Sequence, residues 1–331
     1  MTGAGTAGGW AAATDGNHTW YVSHGGSTCT WGDGGKGFIV RNDRANWGSD
    51  SGSWVQNCSC THGYVQDMAV HRDKTTGITY LISLEGHSSH TAIVFRDAYK
   101  PEATVLANIS ISSASAIHAC PYSDSLYVLE SNGAVASLAL DNGVPSATQL
   151  KTLFAAASIG GTAPSGGITV DKDLNVWLVY RASNKVVGFS PAGKQIGEIG
   201  KLATQVSGQY DRESLMDPLR VRQWTDETNR TRILILETGG ANRVAEFNTD
   251  GSFIRHWIPT QGNADGGWFP DPDDPSVFYV MGNTYSYTCW GLTHADVNRD
   301  RSLVAYRRNA TDGTFDIEQV YPGVFEGYYP M

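Results

Sequence analysis

Three glutamates, a histidine and an arginine stand at corresponding points of a repeated pattern: His24, Glu85, Glu130, Arg181 and Glu237, with Asn283 completing the series. Each closes the second apolar stretch of its repeat. Carboxylates held close together are pushed toward protonation unless a cation or an arginine compensates. An acid–base enzyme needs its groups gathered within about 3 Å of one substrate. In that role a histidine would be the base, the glutamates the acids, and Arg181 the partner of a substrate carboxylate. The same residues also suit a structural task, bonding to the backbone of the next repeat. One backbone problem posed six times would favour one residue type, and these positions differ. A site made by breaking the symmetry is therefore expected, with Arg181 beside at least one of the glutamates.

Other residues carry chemistry of their own. His87 and His90 crowd next to Glu85, and His118 lies in the first strand of the third repeat. The pair at i and i+3 could share a metal or a ligand only if its loop folds back. Tyr285, Tyr287 and Trp290 fall outside the repeat core, as do Trp31, Trp47, Trp54 and Trp268. Flat rings rimmed by polar groups suit sugar stacking or a protein interface, and equally suit plugging a channel. Asp296, Asn298 and Asp300 alternate as in a calcium loop, so calcium or another divalent cation is the cofactor this pattern would take. Arg301 stands where that loop wants glycine, and no glutamate stands at its twelfth position. No H-E-x-x-H, G-x-S-x-G or Walker loop occurs, which removes sequence support for zincin, hydrolase-elbow and P-loop chemistry.

The bulk composition narrows the field further. With 33 acidic and 24 basic residues the net charge is −9, and no basic stripe is present, so nucleic acid is not an expected partner. No apolar run reaches the roughly 18 residues of a membrane helix. The 331 residues are ample for a large core, and 17% charged residues with 38 glycines argue against long helices. Five Asn-x-Ser/Thr sequons, at Asn17, Asn57, Asn108, Asn229 and Asn309, suggest export. So does the cysteine set, read as disulfides plus a free thiol. Cys58 and Cys60 form a C-x-C rather than a redox or zinc C-x-x-C. The first ten residues hold neither a basic nor an apolar region, so the extracellular protein that the sequons and cysteines suggest is expected to have had its leader removed or left out.

These groups are positioned by repeats. The segments KVVGFSPAGKQI, RVAEFNTDGSFI and SLVAYRRNATDGTFDI are the same hairpin, each with glycine where a turn needs positive φ. Val40, Phe95, Leu138, Phe189, Phe247 and Tyr306 anchor successive copies, roughly 43–59 residues apart. Apolar residues alternate with period two, so the elements are strands, four short ones per unit. Units are expected to begin near Gly9, Gly63, Ala114, Gly166, Asp217 and Gly266, within one domain spanning 1–331.

The run Gly167-Ile168-Thr169-Val170-Asp171, with Asn175-Val176-Trp177, Asn184-Lys185-Val186 and Pro191-Ala192-Gly193, resembles an NHL repeat. So do Asn242-Arg243-Val244 and Thr249-Asp250-Gly251; the likeness spans about 166–258. It implies an all-β, six-bladed β-propeller of four-stranded antiparallel blades. That group includes lyases, lactonases and binding domains, so it implies no activity. In this geometry the second-strand ends line a channel mouth. Cys29 and Cys289 then occupy equivalent loops beside Cys58 and Cys60, and Cys29 is expected to pair with one of those three. Two functions follow: an extracellular carbohydrate-active or related lyase or hydrolase, or a noncatalytic propeller that binds glycan, a small molecule or protein, or assembles with copies of itself.

Overall fold

A computed structural model describes residues 12–14, 18–23, 38–43, 53–55, 65–85, 91–100, 104–111, 113–141, 144–145, 150–157, 159, 161–200, 212–237, 243–257, 268–270, 277–283, 301–308 and 315–322. The architecture is an all-β propeller of four-stranded antiparallel sheets. The first sheet is β1 (Ala12–Thr14), β2 (His18–Ser23), β3 (Phe38–Asp43) and β4 (Ser53–Val55). The second is β5 (Val65–Arg72), β6 (Thr79–Glu85), β7 (Thr91–Arg96) and β8 (Thr104–Ser110). The third holds β9 (Ala114–Ala119), β10 (Ser125–Glu130) and β11 (Ala134–Asp141), with β12 (Val144–Pro145) and β13 (Lys151–Ala155) both pairing with β11. The fourth is β14 (Ile168–Val170), β15 (Val176–Tyr180), β16 (Lys185–Phe189) and β17 (Gln195–Ile199). The fifth is β18 (Pro218–Thr225), β19 (Thr231–Glu237), β20 (Val244–Asn248) and β21 (Phe253–Trp257). The sixth is β22 (Trp268–Pro270), β23 (Val277–Asn283), β24 (Arg301–Arg308) and β25 (Phe315–Pro322). Among the described residues no helix is long and apolar enough to cross a membrane.

The chain divides into two compact units, 1–178 with 188–196, and 179–187 with 197–331. In the first unit β1, β5, β9 and β14 lie side by side in chain order. Strand alternation explains how the second sheet is used on both faces. Met68, Leu81, Ile93 and Phe95 pack with Trp20 and Ile39 of the first sheet. Ala69, Ile82, Leu84, Val94 and Ile109 pack with Ile117, Leu126, Val128 and Leu138 of the third. Asp67 is wholly buried between them; it accepts the Met68 and Ile117 N–H groups, both at 3.0 Å, tying β5 to β9.

An aspartate governs the turn from the first to the second strand. Asp171 accepts the N–H groups of Asp173 and Asn175 at 2.9 Å on one oxygen. Its other oxygen takes the Asn175 amide and the indole N–H of buried Trp177, both at 3.1 Å. Asp226 repeats this residue for residue: Thr228 and Arg230 N–H groups at 2.9 Å, then Arg232 Nη2 at 2.7 Å. Hydrogen bonds from the Thr228 hydroxyl first, then from the Arg230 N–H and the Arg232 guanidinium, hold the Asp226 carboxyl well below the usual carboxylate range. Asp73 does the same with Thr75 and Thr76. These are Asx turns, which let an aspartate replace missing ladder bonds.

The hairpin glycines also have a reason beyond the turn. Gly193 and Gly251 adopt φ of 78° and 87°, which glycine reaches without the penalty of a side chain. A Cβ on Gly251 would meet the Glu198 carbonyl oxygen at 2.7 Å, and one on Gly193 would meet Phe154 Cβ at 2.8 Å. In both cases the hairpin rests on the outer strand of the preceding sheet.

Gly251→Ala therefore adds backbone strain and a clash with a carbonyl that has no soft side chain to move. It is expected to destabilise the fold by about 1–3 kcal/mol, read in a denaturant titration. Asp226→Asn tests the turn through its pH dependence. A carboxyl with a depressed folded-state pKa contributes stability above its unfolded value, near 4, and loses it as pH falls. The variant should thus melt lower at neutral pH, and the gap should close below about pH 4.

Candidate functional site

The second strands end on a shared backbone device. In the second, third and fifth sheets the last residue of that strand is a glutamate, paired with the residue that opens the first strand. The pairs are Glu85 with Val65, Glu130 with Ala114, and Glu237 with Pro218. In each the register then shifts, leaving Gln66, Ser115 or Leu219 as an extra residue in the first strand. Such bulges turn the strand end and re-aim its side chains.

In the first unit two of these bulges are joined. Gln66 Nε2 donates to the Ser115 carbonyl at 2.9 Å, and Ser115 Oγ donates to the Leu129 carbonyl at 3.0 Å. Ser113, just before β9, has φ of 61° and accepts the Ser131 N–H at 2.8 Å. A non-glycine residue held there carries some backbone strain. Glu130 is half-buried. Its carboxylate accepts from Asn132 Nδ2 at 3.3 Å, and Asn132 is aimed by the Ala134 N–H at 2.8 Å. Gln66, Ser115, Glu130 and Asn132 form a set of amide, hydroxyl and carboxylate groups that both donates and accepts.

The fourth sheet builds the same turn from different residues. Arg181–Ser183 forms a 3₁₀ turn, and Asn184 takes the left-handed position at φ 53° that Gly133 holds after β10. Asn184 Oδ1 accepts the Asp217 N–H at 2.9 Å. Arg181 donates Nη2 to Asp217 Oδ2 at 2.6 Å and Nε to Oδ1. Arg181 was expected beside a second-strand glutamate. The carboxylate it grips is Asp217, held at φ 49° directly before β18 and next to Met216, whose N–H Glu237 accepts. The Asn184 cap brings the Asp217 backbone into the arginine's reach.

Glu237 has a different surrounding. Its Oε1 accepts from Arg243 Nε at 2.7 Å and its Oε2 from the Met216 N–H at 2.7 Å. Arg243 also donates Nη2 to the Ser214 carbonyl at 2.8 Å. The Arg243 and Glu237 side chains are 1% and 0% exposed. Burial pushes the Glu237 carboxyl up, while the Arg243 guanidinium and the Met216 N–H pull it back. Segment 214–217 is thus clamped from beneath by Glu237 and Arg243 and from outside by Arg181 and Asn184.

His118 faces Tyr127 on the neighbouring strand, three residues before Glu130, or roughly 10 Å along β10. It does not join the Glu130 group. Glu85 and Asn283 end their strands as expected. His24, His87, His90, Tyr285, Tyr287, Trp290, Asp296, Asn298 and Asp300 lie outside the described residues, as do Cys29, Cys58, Cys60, Cys289, Asn17, Asn57 and Asn309. Of the sequons within them, Asn108 is exposed on β8 and Asn229 is exposed in a turn at φ 61°. Cys120 is a buried free thiol. Among the described residues no group of three or more His, Cys, Asp or Glu is disposed to hold a metal.

Gln66, Ser113, Ser115, Asn132, Asp217 and Arg243 were not singled out in the sequence as site residues. Only Asn132, before Gly133, and Asp217, before Pro218, carry a local turn signal.

No family model matches the chain, and no curated protein does. Solved β-propeller-like structures resemble it in fold. A structural genomics protein of unknown function from Bacteroides thetaiotaomicron superposes with a TM-score of 0.50 at 14% identity, covering 85% of this chain and 68% of that one. A protein from Lactobacillus plantarum gives 0.49 at 16% identity, covering 96% and 86%. A streptogramin B lyase gives 0.47 at 12% identity, covering 95% and 83%.

The two ion pairs should respond differently to truncation. Arg243→Ala leaves a buried carboxylate without its cation and is expected to cost about 3–5 kcal/mol. Arg181→Ala breaks a pair whose side chains are 46% and 35% exposed, and is expected to cost at most about 1 kcal/mol. Chemical denaturation of both variants checks the contrast; equal losses would overturn it.

Proposed function

We propose that the chain is a secreted, single-domain propeller whose six sheets are the blades of one NHL-like ring, and that it binds glycans without turning them over. The observation that carries this reading is the Glu237 carboxylate, whose two oxygens are both engaged in holding its own chain. Arg181, the expected partner of a substrate carboxylate, is likewise bound to Asp217. An acid–base mechanism at the second-strand ends would have to break these bonds first. What the first unit offers instead is the Gln66, Ser115, Glu130 and Asn132 set, which suits sugar hydroxyls because each of those both donates and accepts. Secretion is supported by the cysteine and sequon patterns.

Retention on a panel of immobilised plant, fungal and bacterial polysaccharides tests the proposal. The wild type should bind at least one. Glu130→Gln and Asn132→Ala should each weaken that binding about tenfold, near 1.4 kcal/mol, with unchanged melting temperature. Release of unsaturated or reducing sugar ends during incubation would replace this reading with the lyase or hydrolase one.

A further inference from the structure

We propose that Asn108 carries an N-linked glycan that covers the outer edge of the second sheet, an inference that rests on the secreted reading above. The outer edge of that sheet is β8, and among the described residues no strand pairs with it on its far side. Unpaired edge strands with apolar residues invite pairing with another chain, and proteins blunt them with charge, proline, bulges or a cover. β8 has no charged residue and no proline; its sequence is TVLANIS. Val105 is 56% exposed and Leu106 41% exposed, the two most open apolar residues on any edge strand of the first unit's second sheet. Leu106 sits at a bulge, because Phe95 pairs with Val105 while Val94 pairs with Ala107. The bulge bends the strand, yet it leaves both apolar side chains in water.

Asn108 stands two residues beyond that pair and is itself exposed. Alternation sets its direction. Ile109 is buried in the core, so Asn108 belongs to the opposite face, in the row of Met68, Ser83 and Ile93. That row runs outward from the core and reaches solvent at Asn108. Ser110, exposed and two residues on, completes the sequon. A sugar chain anchored there stands over the edge and keeps another strand from docking.

The attachment needs a lipid-pyrophosphate-linked oligosaccharide as co-reactant, the donor of a secretory compartment. The Asn108 amide nitrogen forms a bond to the anomeric carbon of the sugar. The bond from that carbon to the phosphate oxygen breaks, the lipid pyrophosphate leaves with the electron pair, and the amide loses one proton.

The test is secretion of the full chain from a eukaryotic host, followed by enzymatic deglycosylation in heavy-oxygen water and peptide mass mapping. Each formerly occupied asparagine then carries a mass tag. Asn229, exposed in a turn, serves as the internal reference. The proposal expects a tag at Asn108. It also expects Asn108→Gln and, independently, Ser110→Ala to increase binding of a hydrophobic dye several-fold, and Val105→Thr with Leu106→Thr added to either variant to reverse that increase. A tag at Asn229 with none at Asn108 overturns the proposal while leaving secretion standing. No tag at any sequon overturns both. A tag at Asn108 without a change in dye binding overturns the covering role.

Discussion

Asp67 is wholly buried, and its two oxygens accept backbone N–H groups from two different first strands. Asp171 and Asp226 likewise accept backbone N–H groups, from their own turns, and Glu237 accepts that of Met216. Each carboxylate answers a local shortage, because strands that meet edge to edge or turn sharply leave N–H groups without ladder partners. A carboxylate can take several such donors at once, and a hydrogen bond to a charged acceptor is roughly twice as strong as one between neutral groups. Once those donors are satisfied, short strands such as β14, only three residues long, can hold their place.

That constraint shapes what the second-strand ends can do. Three glutamates occupy equivalent positions, each opposite a bulge in its first strand. Glu237 is closed over by Arg243 and shielded from solvent, so its charge belongs to the architecture. Glu130 is half-open, with Asn132 beside it and the linked Gln66 and Ser115 bulges nearby in the sheet pairing. The equivalent position is thus closed in one sheet and half-open in another.

Packing between sheets follows a second rule, set by shape. Apolar residues alternate so that the second sheet fills cores on both faces. Hairpin glycines at 193 and 251 let each turn settle against the strand before it, closer than any side chain would allow. At β8, which β12 of the third sheet touches at few points, Val105 and Leu106 remain in contact with water.

The repeat, the strand alternation and the hairpin glycines were all legible in the sequence. Each depends on residues within a few positions of one another, and local sterics and periodicity suffice to specify them. The pairing of the charges was not legible. Arg181 and Asp217 are 36 residues apart, and Gln66 reaches Ser115 from 49 residues away. The sequence placed an ionisable residue at five of the six expected second-strand ends and left open which partner each would meet. Only the tertiary structure decides that, because electrostatic and hydrogen-bond partners are chosen by distance in space, and a register shift of one residue in a neighbouring strand is enough to change them.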